Sequence, residues 1–89
     1  MNDERRKRLD EIKERISSIM NELTGDITEQ LQSIRDEEQE YYDNMPESIQ
    51  NGERGERTQQ VIDSLDEAIS DLESLDVEPI TSNIETAAE

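Results

Sequence analysis

The chain has no cysteine, histidine, tryptophan or phenylalanine, and only two tyrosines, two prolines and three glycines among its 89 residues. Each absence closes off a class of chemistry. Without an imidazole or a thiol there is no proton shuttle near neutral pH, no triad of the usual kind and no ordinary zinc site. Without cysteine there is no disulfide framework of the sort small secreted domains use to offset a small core, so an intracellular, cytoplasmic location is expected. No apolar run exceeds two residues. That excludes a spanning helix, and it leaves no apolar region after the basic start MNDERRKRLDEIKER to make a signal peptide or a membrane anchor. Carboxylates, hydroxyls, Tyr, Lys and Arg are what remain for chemistry. No catalytic residue, metal ligand or cofactor is assigned.

What is present is charge, unevenly placed. Residues 1–15 hold six of the nine cations (Arg5, Arg6, Lys7, Arg8, Lys13, Arg15) against five acids, whereas residues 16–89 hold three cations against twenty acids. The chain is therefore a near-neutral head on a body of net charge −17 within a total of −16. Phosphate binding needs cations that displace counterions, and two tyrosines make no stacking surface, so direct binding of nucleic acid is not expected. Acidic excess keeps a small helical protein soluble in the first place. It also suits a basic protein surface as partner.

The apolar residues number 26, ten of them Ile and six Leu, a composition suited to helix seams. Leu9, Ile12, Ile16, Ile19, Leu23, Ile27, Leu31, Ile34, Tyr41 and Met45 recur in steps of three and four, with Glu38 in the expected place between. This spacing predicts a first helix over about residues 4–44, roughly 60 Å long at 1.5 Å per residue. Thr24, Gly25 and Asp26 are its weak point, because Gly costs about 1 kcal/mol inside a helix and Asp26 with Glu29 has capping-box spacing. A break there would give three helices. The stripe keeps its phase across Leu23, Ile27 and Leu31, so continuity or a kink is expected instead. Pro46 ends the helix, residues 45–53 form the turn with Ile49 folded over it, and a second helix spans 54–76. Its seam is Thr58, Val61, Leu65, Ala68, Leu72 and Leu75, widened by Ile62 and Ile69.

The expected fold is all-α: a long helix and a shorter one as an antiparallel hairpin or coiled coil over residues 1–76, with 77–89 a flexible or short-helical tail. Ser82 and Glu85 would cap that short helix. The second helix reaches only along residues 23–44, which leaves Leu9, Ile12, Ile16 and Ile19 without an intramolecular partner. Those four are the candidate self-association residues, and a homo-oligomer is expected.

The stretch RDEEQEYYDNMPESIQNGERGE, residues 35–56, together with VIDSLDEAISDLESL, residues 61–75, resembles small acidic helical-hairpin proteins encoded by bacteriophages. In these an acidic helix ends in a DNMPESLQ-like turn before a second helix of LEEA-type heptads. The resemblance covers about residues 31–75, half of the chain. It implies a helical hairpin of phage or prophage origin, at work in the host cytoplasm, and implies no activity.

Asp36, Glu37, Glu38, Glu40 and Asp43 form the densest chemical cluster. With Glu73 and Asp76 they resemble the metal sites of all-helical nucleotide pyrophosphatases of the MazG type, which would make a Mg²⁺-dependent nucleotide hydrolase. An antiparallel hairpin, however, sets Glu73 and Asp76 near residues 23–27, well away from the cluster. Asp36, Glu37, Glu40 and Asp43 are accordingly candidate partner-binding residues, with Tyr42 as an exposed aromatic beside them and Tyr41 in the seam. Arg54 and Arg57 are expected to pair with neighbouring acids. The function expected is a phage accessory protein that binds a host protein through a basic surface, as an acidic inhibitor of host defence or of nucleic-acid handling. The alternative is a structural coiled-coil oligomer.

Overall fold

The side chain of Asn2 accepts a hydrogen bond from the Arg5 amide at 2.9 Å, and Asp3 and Glu4 occupy the first turn. Cap and dipole together fix a helix start there. In a computed structural model describing all 89 residues, α1 (Asp3–Glu22) passes through a π-helical turn (Leu23–Ile27) into α2 (Thr28–Asp43). The chain neither breaks nor reverses at Thr24–Asp26. It widens by one residue. The carbonyls that a widened turn leaves loosely held are taken up by threonines: Thr24 Oγ1 donates to the Met20 carbonyl at 2.9 Å and Thr28 Oγ1 to that of Leu23 at 2.7 Å. Asp26 does not cap a new helix but accepts a hydrogen bond from Gln30 one turn on.

Pro46 then forces extended backbone, a single turn α3 (Glu47–Gln50) follows, and α4 (Glu53–Glu73) returns antiparallel to α2. The corner depends on Gly55, because a Cβ there would stand 2.0 Å from the carbonyl oxygen of Gln50. Gln50 in turn donates through Nε2 to the Tyr42 carbonyl at 2.9 Å. Helix, turn and return helix are thereby tied at one point.

The second helix ends earlier than its periodicity suggests, at Glu73, and the tail forms α5 (Glu78–Ala88). Ser82 does not start that helix. Asp76 accepts from the Glu78 amide at 3.0 Å and Pro79 occupies the first turn, where a missing N–H costs nothing. α5 lies along α1, and Arg6 caps its C-terminus by donating to the carbonyls of Ala88 and Glu89 at 2.8 and 2.9 Å. α5 has no basic residue in its own last turn, so the cation that suits its dipole comes from α1.

The result is an all-α rod with Cα extents of 69 × 17 × 12 Å. It is one helix thick. A side chain can be covered from one side only, which is why four residues alone are buried: Gly55, Thr58, Ile62 and Ile69, all on α4. The accessible surface is 6779 Å², whereas a compact 10.3 kDa monomer exposes about 5,400 Å². No helix is long and apolar enough to cross a membrane.

Candidate interaction surface

Residues seven apart on a helix point in nearly the same direction, so the long helix can be read as rows. Arg6, Lys13, Met20, Thr28, Arg35 and Tyr42 form a first row; Leu9, Ile16, Leu23, Leu31, Glu38 and Met45 a second; Ile12, Ile19, Ile27, Ile34 and Tyr41 a third. Each row takes one step of eight in place of seven, and that step crosses the π turn. The widened turn absorbs the extra residue and keeps all three rows aligned from end to end. The first and second rows are half-buried throughout, facing α5 in one half of the rod and α4 in the other.

The third row is open. Ile12, Ile19, Ile34 and Tyr41 are 44, 57, 51 and 50% exposed. The returning arm repeats the pattern: Gly55, Ile62 and Ile69 are its buried row, Thr58, Leu65 and Leu72 its second, and Val61, Ala68 and Leu75 its third. In α5, Ile80 and Ala87 continue the third row. Val61, Leu75 and Ile80 are again exposed.

Two ion pairs fix how the arms face each other. Lys13 Nζ lies 3.1 Å from Glu85, four residues after Thr81, and Arg35 Nε lies 2.8 Å from Asp66, four residues after Ile62. Both therefore join a first-row cation to the equivalent position of the returning arm, along one edge. In an antiparallel pair packed through its first two rows, the third rows of both arms emerge on the opposite broad face. The pair at Arg35 and Asp66 sets Tyr41 level with Val61 and Ile34 level with Ala68. The pair at Lys13 and Glu85 sets Ile19 level with Ile80 and Ile12 level with Ala87. One face of the rod thus carries matched apolar residues along most of its length. The hydrogen bond from Arg35 to Asp66, with the charges of Asp66 and Asp36 beside it, raises the guanidinium pKa above its ordinary value, so the guanidinium stays charged.

The expected site residues divide accordingly. Of the four self-association candidates, Ile12 and Ile19 are exposed, but Leu9 and Ile16 are half-buried against α5. The tail covers them, which corrects the expectation that all four lack a partner. Tyr41 and Tyr42 exchange roles: Tyr42 is half-buried in the first row and Tyr41 stands on the open face. The reason is that Tyr41 follows Ile34 by seven residues and so belongs to the third row, not to the seam of Leu31 and Met45. For the same reason Ile62, not Val61, is the centre of the α4 seam.

Asp36, Glu37, Glu40 and Asp43 are exposed on the back of α2. Gln32 and Gln39 donate to Asp36 and Asp43 at 3.1 and 2.9 Å, and Arg35 approaches Asp36 at 3.7 Å. No group of three or more carboxylates converges closely enough to hold a metal ion. Arg54 and Arg57 make no ion pair, contrary to expectation, because their helix faces turn them to solvent. Arg57 instead borders an open groove with Glu53, Val61 and Leu65. Of the open face, Ile12 and Ile19 are expected from the sequence and Ile34, Tyr41 and the row of the returning arm are not; the repeated step of eight is the signal for these, and nothing local marks the capping role of Arg6. Comparison with protein-family models, curated proteins and solved structures gives no match.

Proposed function

We propose that the protein acts by binding other proteins and carries out no catalysis of its own. Two surfaces support this reading. The open apolar face is the kind of patch through which helical rods associate, and it underlies the homo-oligomer. The acidic back of α2 is the second, and the observation that carries it is that Asp36, Glu37, Glu40 and Asp43 are all exposed with only Arg35 nearby. A partner with a basic surface, such as a nucleic-acid-handling protein of the host cell, is the complement of that charge. In this reading the chain is a phage-type accessory protein that occupies the basic surface and so inhibits its owner.

The test is binding to a purified host nucleic-acid-handling protein, measured across ionic strength and repeated with the variant D36N/E37Q/E40Q/D43N. Affinity is expected to fall at least tenfold between about 0.05 and 0.5 M salt, as the Debye length contracts from roughly 14 to 4 Å. The neutralised variant should bind at least tenfold more weakly. Binding indifferent to both salt and substitution would discard the acidic docking surface.

A further inference from the structure

We infer that the open apolar face is occupied by a second copy of this chain, laid face to face and antiparallel about a twofold axis at the π turn. The inference rests on the protein-binding reading above and names the partner of one of its two surfaces.

Spacing supplies the first argument. Ile12, Ile19, Ile34 and Tyr41 are placed symmetrically about Ile27. A twofold axis across the rod at that level sets Ile12 against the second copy's Tyr41 and Ile19 against its Ile34. The widened turn sits on the axis and meets itself. Each long helix then packs antiparallel on its own copy, the returning arms do the same, and the two hairpins close into a four-helix bundle.

Area supplies the second. The rod exposes 6779 Å², roughly 1,400 Å² more than a compact monomer of its mass. A stable interface needs about 800 Å² from each partner. One face of a rod 69 Å long by 17 Å wide offers that much.

Charge decides between the two ways of closing the face. With the rods parallel, the acidic halves that carry Glu37, Glu40, Asp43 and Glu47 would lie on each other. With the rods antiparallel, the near-neutral first fifteen residues of one copy lie level with the acidic corner half of the other. The antiparallel order uses the near-neutral head of one copy to offset the acidic body of the other.

Sedimentation equilibrium of the full chain is the first measurement, and a dimer is expected at micromolar concentration. The variant I19E/I34E changes only exposed positions, so circular dichroism should show its helices intact while its dimer constant weakens by more than about 100-fold. Order is read by a short bismaleimide: a mixture of I19C and I34C chains should cross-link, and a mixture of I19C and I80C chains should not. A wild-type monomer at 100 µM, or a dimer untouched by I19E/I34E, overturns the inference and leaves the acidic docking surface standing. Cross-linking of I19C to I80C with none to I34C overturns the antiparallel order. Loss of salt-dependent host binding with the dimer intact would remove the acidic surface and leave the inference in place.

Discussion

The two halves of the rod are built on one plan and differ in what fills it. In both, a first-row cation reaches an acid on the returning arm, Arg35 to Asp66 in the half near the corner and Lys13 to Glu85 in the half near the termini. In both, the second row faces the partner helix and the third is open. Opposite the seam, however, the corner half offers Gly55, Ile62 and Ile69, and the terminal half offers Thr81 and Ala88. The four buried residues, Gly55, Ile62, Ile69 and Thr58, all lie in the corner half and none in the terminal half. Register is thus set by pattern and ion pairs, whereas stability is set by the volume that the pattern delivers to the seam. The corner half is the folding unit, and the terminal half is docked on it through the continuous helix.

The sharpest way to break this picture is to disturb the phase that links the halves. Deleting Ser64, an exposed residue in the middle of α4, turns every later residue by about 100° relative to Ile62 and removes Ile69 from the seam. A loss of more than about 3 kcal/mol is expected, enough to unfold a rod with so little core. Deleting Gly25 should do the opposite. It removes the extra residue of the π turn, restores a step of seven in all three rows, and leaves stability within about 1 kcal/mol of the parent. Urea denaturation followed by circular dichroism distinguishes them; equal losses from the two deletions would show that the widened turn is not absorbing a phase slip.

A smaller effect compares the fillings directly. Ile62 is 1% exposed and Ile84 half-buried. Ile62→Ala is expected to cost about 2–4 kcal/mol and Ile84→Ala about 1 kcal/mol or less, because the cavity and transfer costs scale with the surface already removed from water. Differential exchange of backbone amides should locate the second loss in α5 alone. If Ile84→Ala destabilises the rod as much as Ile62→Ala does, the two halves form one cooperative unit.

Much of this fold is legible in the residues, and what is not legible has a physical cause. The helical hairpin, the long first helix and its end at Pro46 follow from apolar steps of three and four and from one proline. The same steps, however, can be read along two adjacent rows at once. Leu31 and Ile34 are three apart, as are Leu9 and Ile12, yet one of each pair faces the arm and the other faces away. Only the partner's position shows which row is inside, and so periodicity alone places Tyr41 and Tyr42 the wrong way round. The short-helical tail is among the expectations, but its docking on α1 is not legible, for a different reason. Its helix is poor in large apolar residues, and what places it is Arg6 and Lys13 reaching across 82 and 72 residues of sequence. A contact at that separation leaves no mark in the local pattern.

That long reach also gives the smallest expected effect. The pair between Lys13 and Glu85 is partly open to water, Glu85 being 62% exposed, and pairs of this kind contribute about 0–1 kcal/mol. Lys13→Met keeps a stem of similar length but removes the charge, so the unfolding midpoint should scarcely move. Amide protection in α5 should fall about two- to threefold, and about 0.5 M salt should produce the same fall in the parent chain. Arg35→Met is the matching change in the corner half. There Ile62 and Ile69 hold the seam without the pair, so protection in α4 should stay constant while Asp66 loses its partner. The pKa of Arg35 is raised by its partner carboxylates, so on the alkaline side its contribution is lost only above the ordinary arginine value, and changes of pH near neutrality should not modulate it. A fall in α4 protection as large as that in α5 would mean that ion pairs, not apolar volume, hold both halves, and the distinction between them would disappear.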